Sequence, residues 1–241
     1  MREKIWSKMD ELRISRFPGA LGRIPNFEGA ERAARRLARL PEFQQAKAVK
    51  VNPDSPQAPV RRIALSEGKL LIMPSPRLKR GFLVLDPKKI TESALGKAFT
   101  IRGAFKYGKL VGLGDLPKID LIVAGSVAVS SKGARIGKGG GYSEIEYGIL
   151  RELGLISDET PVVTTVHDAQ VVDAAPVEDH DFSVDAIITP TRVIRTKKKH
   201  SQPKGIIWSK VTPTMLEKIP VLRELKRKSS RRRKVDQGDN F

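Results

Sequence analysis

The chain has 241 residues, 39% of them hydrophobic, which suffices for one large α/β domain or one domain with an appendage. It has no cysteine, so disulfide and thiolate chemistry are excluded, and its longest uncharged apolar stretch, around Leu121 to Val129, is too short to cross a bilayer. The formal charge of +18 is uneven, since residues 192–234 hold sixteen Lys or Arg against Glu217 and Glu224. The opening residues Met1 to Trp6 are charged and mixed, without the apolar stretch of a signal peptide, so a cytoplasmic location is expected.

Residues 2–14 read as a short helix with Ile5, Met9 and Leu12 on one side, ended by Phe17-Pro18-Gly19. A second helix is predicted from Glu28 to Leu40, stopping before Pro41. Ala46 to Val51 reads as a strand followed by the turn-rich Asn52-Pro53-Asp54-Ser55-Pro56, and Leu70 to Met73 as a second strand followed by Pro74-Ser75-Pro76-Arg77. Leu121 to Ala124 has the apolar, β-branched character of a strand buried on both faces, and Ser126 to Ser130 is expected to continue it to a turn at Ser131-Lys132-Gly133. Ser143-Glu144-Ile145-Glu146 fits a capping box opening a helix with Ile145, Ile149, Leu150 and Leu153 as its apolar stripe and Gly154 as its stop. Strands at Pro161 to Val166 and Val184 to Ile188 complete the pattern. Such alternation implies an α/β fold with an open, mainly parallel sheet, helices on both faces, and ligands beyond the carboxyl ends of the strands.

The glycines at 137, 139, 140 and 141, with Lys138 among them and a helix start just after, suit an anion. Glycine permits positive φ and close backbone approach, and a helix start offers free N–H donors. Arg135 and Lys138 are read as adding mobile positive charge. Neither G-x-x-x-x-G-K-[ST] nor G-x-G-x-x-G can be drawn through the loop, so taken alone it serves equally as a phosphate cradle or as a permissive turn.

Residues 120–144, DLIVAGSVAVSSKGARIGKGGGYSE, resemble the pattern D-L-I-(x)9-G-x-R-L-G-x-G-x-G-Y-Y-D of the 5-formyltetrahydrofolate cyclo-ligase family, also called methenyltetrahydrofolate synthetase. Gln170, Pro176, His180-Asp181 and Val184-Asp185 resemble its downstream segment. VKVNPDSPQAPVR and MPSPRLKRGF look more like its archaeal and synthetase domain-containing branch. The resemblance spans roughly residues 2–191 and implies a NagB/RpiA/CoA transferase-like fold, plus a basic C-terminal extension. It further implies ATP with Mg2+ and a folate-type substrate. By the same resemblance Arg2, Arg135, Gly137, Lys138, Gly139, Gly140, Gly141 and Tyr142 bind ATP, with Lys138 and Arg135 in the catalytic role, and Glu144 and Asp181 hold magnesium. Read without it, Glu144 favours a helix N-terminus and Asp181 caps a loop. The match is incomplete: Asn52 to Gln57 stand where the family has a folate-contacting glutamate, and Ser143 replaces the second tyrosine.

Asp54, Gln57 and Arg77, on loops after strands, are candidate substrate contacts, as is Tyr142. His167, beside Asp168 at a strand end, is a candidate to hold the pterin or to act as an acid–base pair. Residues 1–195 are expected to form the cyclo-ligase-like domain and 196–241 a basic extension. Its runs Lys197 to His200 and Arg227 to Lys234 suit RNA phosphates or a solvated tail. A monomer or dimer with no membrane contact is expected.

Overall fold

A computed structural model describes residues 1–197 and 202–227. The chain opens with α1 (Arg2–Glu11), which ends before Leu12, so Ile5 and Met9 face the core and Leu12 faces solvent. Then follow α2 (Ala30–Ala38), shorter at both ends than the sequence pattern predicts, and α3 (Pro41–Gln45). Pro41 starts α3 as well as ending the preceding helix, because the first turn needs no proline N–H.

Next come β1 (Ala48–Val51), α4 (Ala58–Ser66), β2 (Leu70–Pro74), β3 (Phe82–Leu85), α5 (Glu92–Ala98), α6 (Ile101–Tyr107) and β4 (Lys109–Val111). The middle of the chain forms β5 (Leu121–Ala124), β6 (Ala128–Ser130), β7 (Arg135–Ile136) and α7 (Tyr142–Glu152). It closes with β8 (Val162–Thr165), β9 (Val171–Val172), β10 (Ala186–Ile188), β11 (Val193–Arg195), α8 (Pro213–Lys218) and a helical stretch over 220–227.

Eight strands form one sheet in the order β11-β10-β8-β5-β1-β2-β3-β4. The five from β10 to β2 are mutually parallel, while β3, β4 and β11 add antiparallel edges. From β1 the chain passes to β2 on one side and returns to β5 on the other, so a topological switch lies beyond the carboxyl ends of β1 and β5. Period-two alternation divides the sheet's side chains between two cores. Val49, Val51, Leu121 and Val123 face α1 to α6; Ala48, Ile122 and Ala124 face α7.

Ser126 to Ser130 do not continue β5. Gln170 Nε2 donates to the Ser126 and Val127 carbonyls at 3.0 and 3.1 Å, and the Arg135 guanidinium to that of Gly125 at 3.0 Å. These bonds turn the chain out of the large sheet, and β6 joins a separate three-stranded sheet with β7 and β9. That small sheet delivers the glycine loop to the start of α7.

The predicted capping box is also absent. The helix begins two residues earlier, with Gly141 rather than Ser143 as its N-cap at φ +67°, and Glu146 turns inward. Its apolar stripe does match: Ile145, Ile149 and Leu150 are buried, Leu153 is partly so, and Gly154 ends the helix at φ +67°.

Residues 202–227 of the expected extension are packed. Ile206, Ile219, Leu222 and Leu225 are buried in the core on the α7 side. Lys198, Lys199, His200 and Lys228 to Lys234, the heart of the expected RNA surface, lie outside the described residues. Among the described residues no helix is long and apolar enough to cross a membrane.

Candidate functional site

A cleft of about 690 Å³ opens at the switch point. The β1–α4 loop contributes Asn52 to Ser55, the β2–β3 loop Ser75 to Arg77, and the β7–α7 loop Gly137 to Tyr142. Arg2, Arg135, Glu144 and Asp181 line it as well, so most of the residues singled out in the sequence converge although they span nearly 180 positions. Gln57 and His167 are not among its lining residues. Gln57 is buried with its amide nitrogen donating to the Thr165 carbonyl and hydroxyl at 3.3 and 3.2 Å. His167 caps a 3₁₀ turn, its Nδ1 accepting from the Ala169 N–H at 3.1 Å, and its ring meets Phe27 edge-on. Burial lowers the His167 pKa, with Asp168 and Glu28 opposing.

Two glycines give the β7–α7 loop its shape. Gly139 has φ +96° and Gly141 φ +67°, conformations that favour glycine, and no side chain caps the start of α7. The first backbone N–H groups of an eleven-residue helix therefore point toward the cleft end of the loop. Arg2 Nε donates to the Gly137 carbonyl at 2.7 Å, tying α1 to the loop.

Arg135 is not mobile. It is 3% exposed, ion-paired to Glu144, and its guanidinium lies 4.4 Å from the Phe182 ring centroid. A guanidinium fixed between a carbonyl, a carboxylate and an aromatic face is a built part of the wall. Lys138 is exposed and reaches Asp54 Oδ1 at 3.4 Å, so it is the loop's movable cation. Asp181 Oδ2 accepts from the Glu178 N–H at 2.8 Å. His180 stands between these two acids, with Nδ1 3.7 Å from Glu178 Oε2 and Nε2 3.9 Å from Asp181 Oδ1.

Sequence reading missed the polar floor of the cleft. Lys50, on the α7 face of β1, donates to Glu146 Oε2 at 2.6 Å and to Asn52 Oδ1 at 3.1 Å. Asn52 Nδ2 in turn lies 3.3 Å from both Glu146 Oε2 and Ser143 Oγ. Burial raises the Glu146 pKa while Lys50 pulls it down. The available signal was Lys50 itself, a charge within an apolar strand, which requires a partner.

Arg61 was missed too. It donates to the Asn52 and Asp54 carbonyls at 2.6 and 2.9 Å and so fixes the β1–α4 loop. Its burial lowers its pKa to about 10, against the attraction of Asp54. Met215, from the extension, also lines the cleft.

The sequence model of the 5-formyltetrahydrofolate cyclo-ligase family matches residues 7–190. The methenyltetrahydrofolate synthase domain-containing proteins of Bos taurus and Mus musculus are 47% and 48% identical to this chain over 231 residues. Each match covers 94% of this chain but only 61% and 62% of those proteins, so the chain spans about three fifths of their length. The NMR structure of Aquifex aeolicus 5,10-methenyltetrahydrofolate synthetase shares the fold, with a TM-score of 0.51 at 22% identity, covering 83% of this chain and 93% of that one. The family match includes the switch-point loops and the glycine loop that build the cleft, and on that match the chain belongs to the 5-formyltetrahydrofolate cyclo-ligase family.

Proposed function

We propose that the chain converts 5-formyltetrahydrofolate to 5,10-methenyltetrahydrofolate with ATP and magnesium, releasing ADP and phosphate. The observation that carries this reading is the glycine loop at the start of α7, opening into the same cleft as Lys138, Glu144 and Asp181. The loop's backbone donors and Lys138 suit the phosphates of ATP. Glu144 and Asp181 suit a magnesium ion, which takes one or two carboxylates beside phosphate oxygens and water.

ATP supplies a phosphoryl group to the N5-formyl oxygen, with the bond from the γ-phosphorus to ADP breaking; N10 then bonds to the formyl carbon, loses its proton and expels phosphate. The protein's part is positioning and charge neutralisation, with no nucleophilic side chain required. Lys138 neutralises phosphate charge as it leaves Asp54. Arg135 fixes Glu144 for the metal, and Arg2 holds the loop through Gly137. Arg77, Tyr142 and Asp54 line the same cleft and are the substrate contacts of this reading. Gln57 supports the switch point from behind through Thr165.

Incubating the pure protein with 5-formyltetrahydrofolate, ATP and magnesium, and following methenyl absorbance, tests this directly. Turnover is expected. Lys138→Ala is expected to weaken ATP binding by about tenfold, the loss of one charge-assisted contact. Absence of turnover, together with unchanged ATP binding in Lys138→Ala, would remove the reading.

A further inference from the structure

Three loops lining the cleft are braced by one stretch of chain, residues 202–227, which begins beyond the last residue of the family match. At the 176–183 loop, Gln202 accepts from the Ser183 N–H at 3.0 Å and donates to its carbonyl at 3.1 Å. Lys210 Nζ donates to Glu178 Oε2 at 3.1 Å. At the β2–β3 loop, a Cβ on Gly81 would stand 3.4 Å from Val221 Cγ2. At the glycine loop, a Cβ on Gly141 would stand 3.1 Å from Met215 Cε.

Met215 is the member of this stretch that enters the cleft lining. Its position is fixed from two directions. Thr212 caps α8, its hydroxyl accepting from the Met215 N–H at 3.2 Å, and the buried Ile219 and Leu222 hold the following turn in the core. Around the loop the cleft wall carries charge from Arg2, Lys138, Asp54, Glu144 and Asp181, and Met215 adds to an apolar lining that includes Met1, Ile136 and Tyr142. An apolar thioether held against the end of an anion-binding loop suits the flat part of a ligand whose charged part occupies that loop. Such sites pair a few polar groups with apolar walls, and methionine sulfur packs favourably on aromatic rings.

We propose that Met215 is a specificity residue of the cleft, packing against the flat heteroaromatic ring of a ligand whose anionic group lies on the glycine loop. The inference rests on the nucleotide and folate reading of the cleft. In that reading the loop takes the phosphates of ATP, so the ring is adenine; the carboxylates of a folate lie at the far end of the molecule from its pterin, and binding measurements on both ligands check the assignment.

The test uses the full chain and its Met215→Ala and Met215→Leu variants. Calorimetry measures the Kd of a non-hydrolysable ATP analogue and of 5-formyltetrahydrofolate separately, without turnover, while circular dichroism and Tm monitor folding. Met215→Ala is expected to weaken the ATP analogue by about tenfold, in line with loss of apolar contact in a pocket, and to leave 5-formyltetrahydrofolate within about twofold. Met215→Leu restores most of the loss, and selective weakening of 5-formyltetrahydrofolate instead overturns the inference. Unchanged Kd values for both ligands in Met215→Ala overturn the inference alone. So does equal weakening of both that Met215→Leu fails to restore, which would make the residue a brace. Failure of the unaltered chain to bind either ligand overturns the inference together with the reading of the cleft.

Discussion

Lys50 and Glu146 are 2% and 5% exposed at the side chain and 2.6 Å apart, which makes their pairing a high-stakes contact. Removing one partner of a buried pair strands the other charge and costs about 3–5 kcal/mol, whereas replacing both with apolar side chains of similar volume is often near neutral. Lys50→Met is therefore expected to lower the urea midpoint strongly, and Lys50→Met with Glu146→Leu to recover most of the loss. Equal destabilisation by the single and double variants would show that the surrounding Asn52 and Ser143 contacts carry the stability instead. Half of this pair is legible in the sequence, because a lysine in Ala48-Val49-Lys50-Val51 stands out. Its partner is not, because Glu146 sits where a capping box is the simpler reading and only the packing of α7 on β1 joins residues 96 positions apart. The glycine loop, by contrast, is legible because its chemistry is local: positive φ at Gly139 and Gly141 needs glycine whatever surrounds it.

At the scale of elements, α7 meets the 202–227 stretch through Gly148. A Cβ there would lie 3.1 Å from both the Gly205 carbonyl oxygen and the Ile206 Cα. Alanine in a helix interior gains about 1 kcal/mol over glycine, but crowding a packed backbone costs about 1–3 kcal/mol. Gly148→Ala is expected to lower Tm and to speed proteolysis within 202–227, because the neighbouring backbone is what must move; a raised Tm would mean that the stretch shifts freely.

The parallel strands β1, β2, β5, β8 and β10 are legible as apolar, β-branched runs, since strands covered on both faces admit little else. The edges are not. In β4, Leu110 is 42% exposed, and the three residues of Lys109–Val111 carry no periodic signal. The α4 helix is hidden behind Pro56 and Pro59, which read as turn residues although proline is tolerated in a helix's first turn.

Across the whole molecule, two titrating groups join distant parts of the chain, and both contribute to the response to acid. His167 lies at the end of β8 within the electrostatic reach of Lys8 on α1 and Arg32 on α2, and burial lowers its pKa below the ordinary 6.5. Below pH 6.5 the unfolded chain takes up this proton before the folded chain does, so stability falls until the pH passes the lowered folded value. Glu42 on α3 is paired with Arg195 on the edge strand β11, which lowers its pKa from 4.5 despite partial burial. Its contribution is complete above pH 4.5 and is lost as the pH falls through the lowered folded value. A plot of Tm against pH is therefore expected to decline in two stages, the first beginning near pH 6.5 and the second below about pH 4.5. His167→Gln should flatten only the first stage and Glu42→Gln only the second. If His167→Gln leaves the decline between about pH 6.5 and 5 unchanged, the acid sensitivity of that range arises elsewhere, and the junction of α1, α2 and β8 is not where protonation acts.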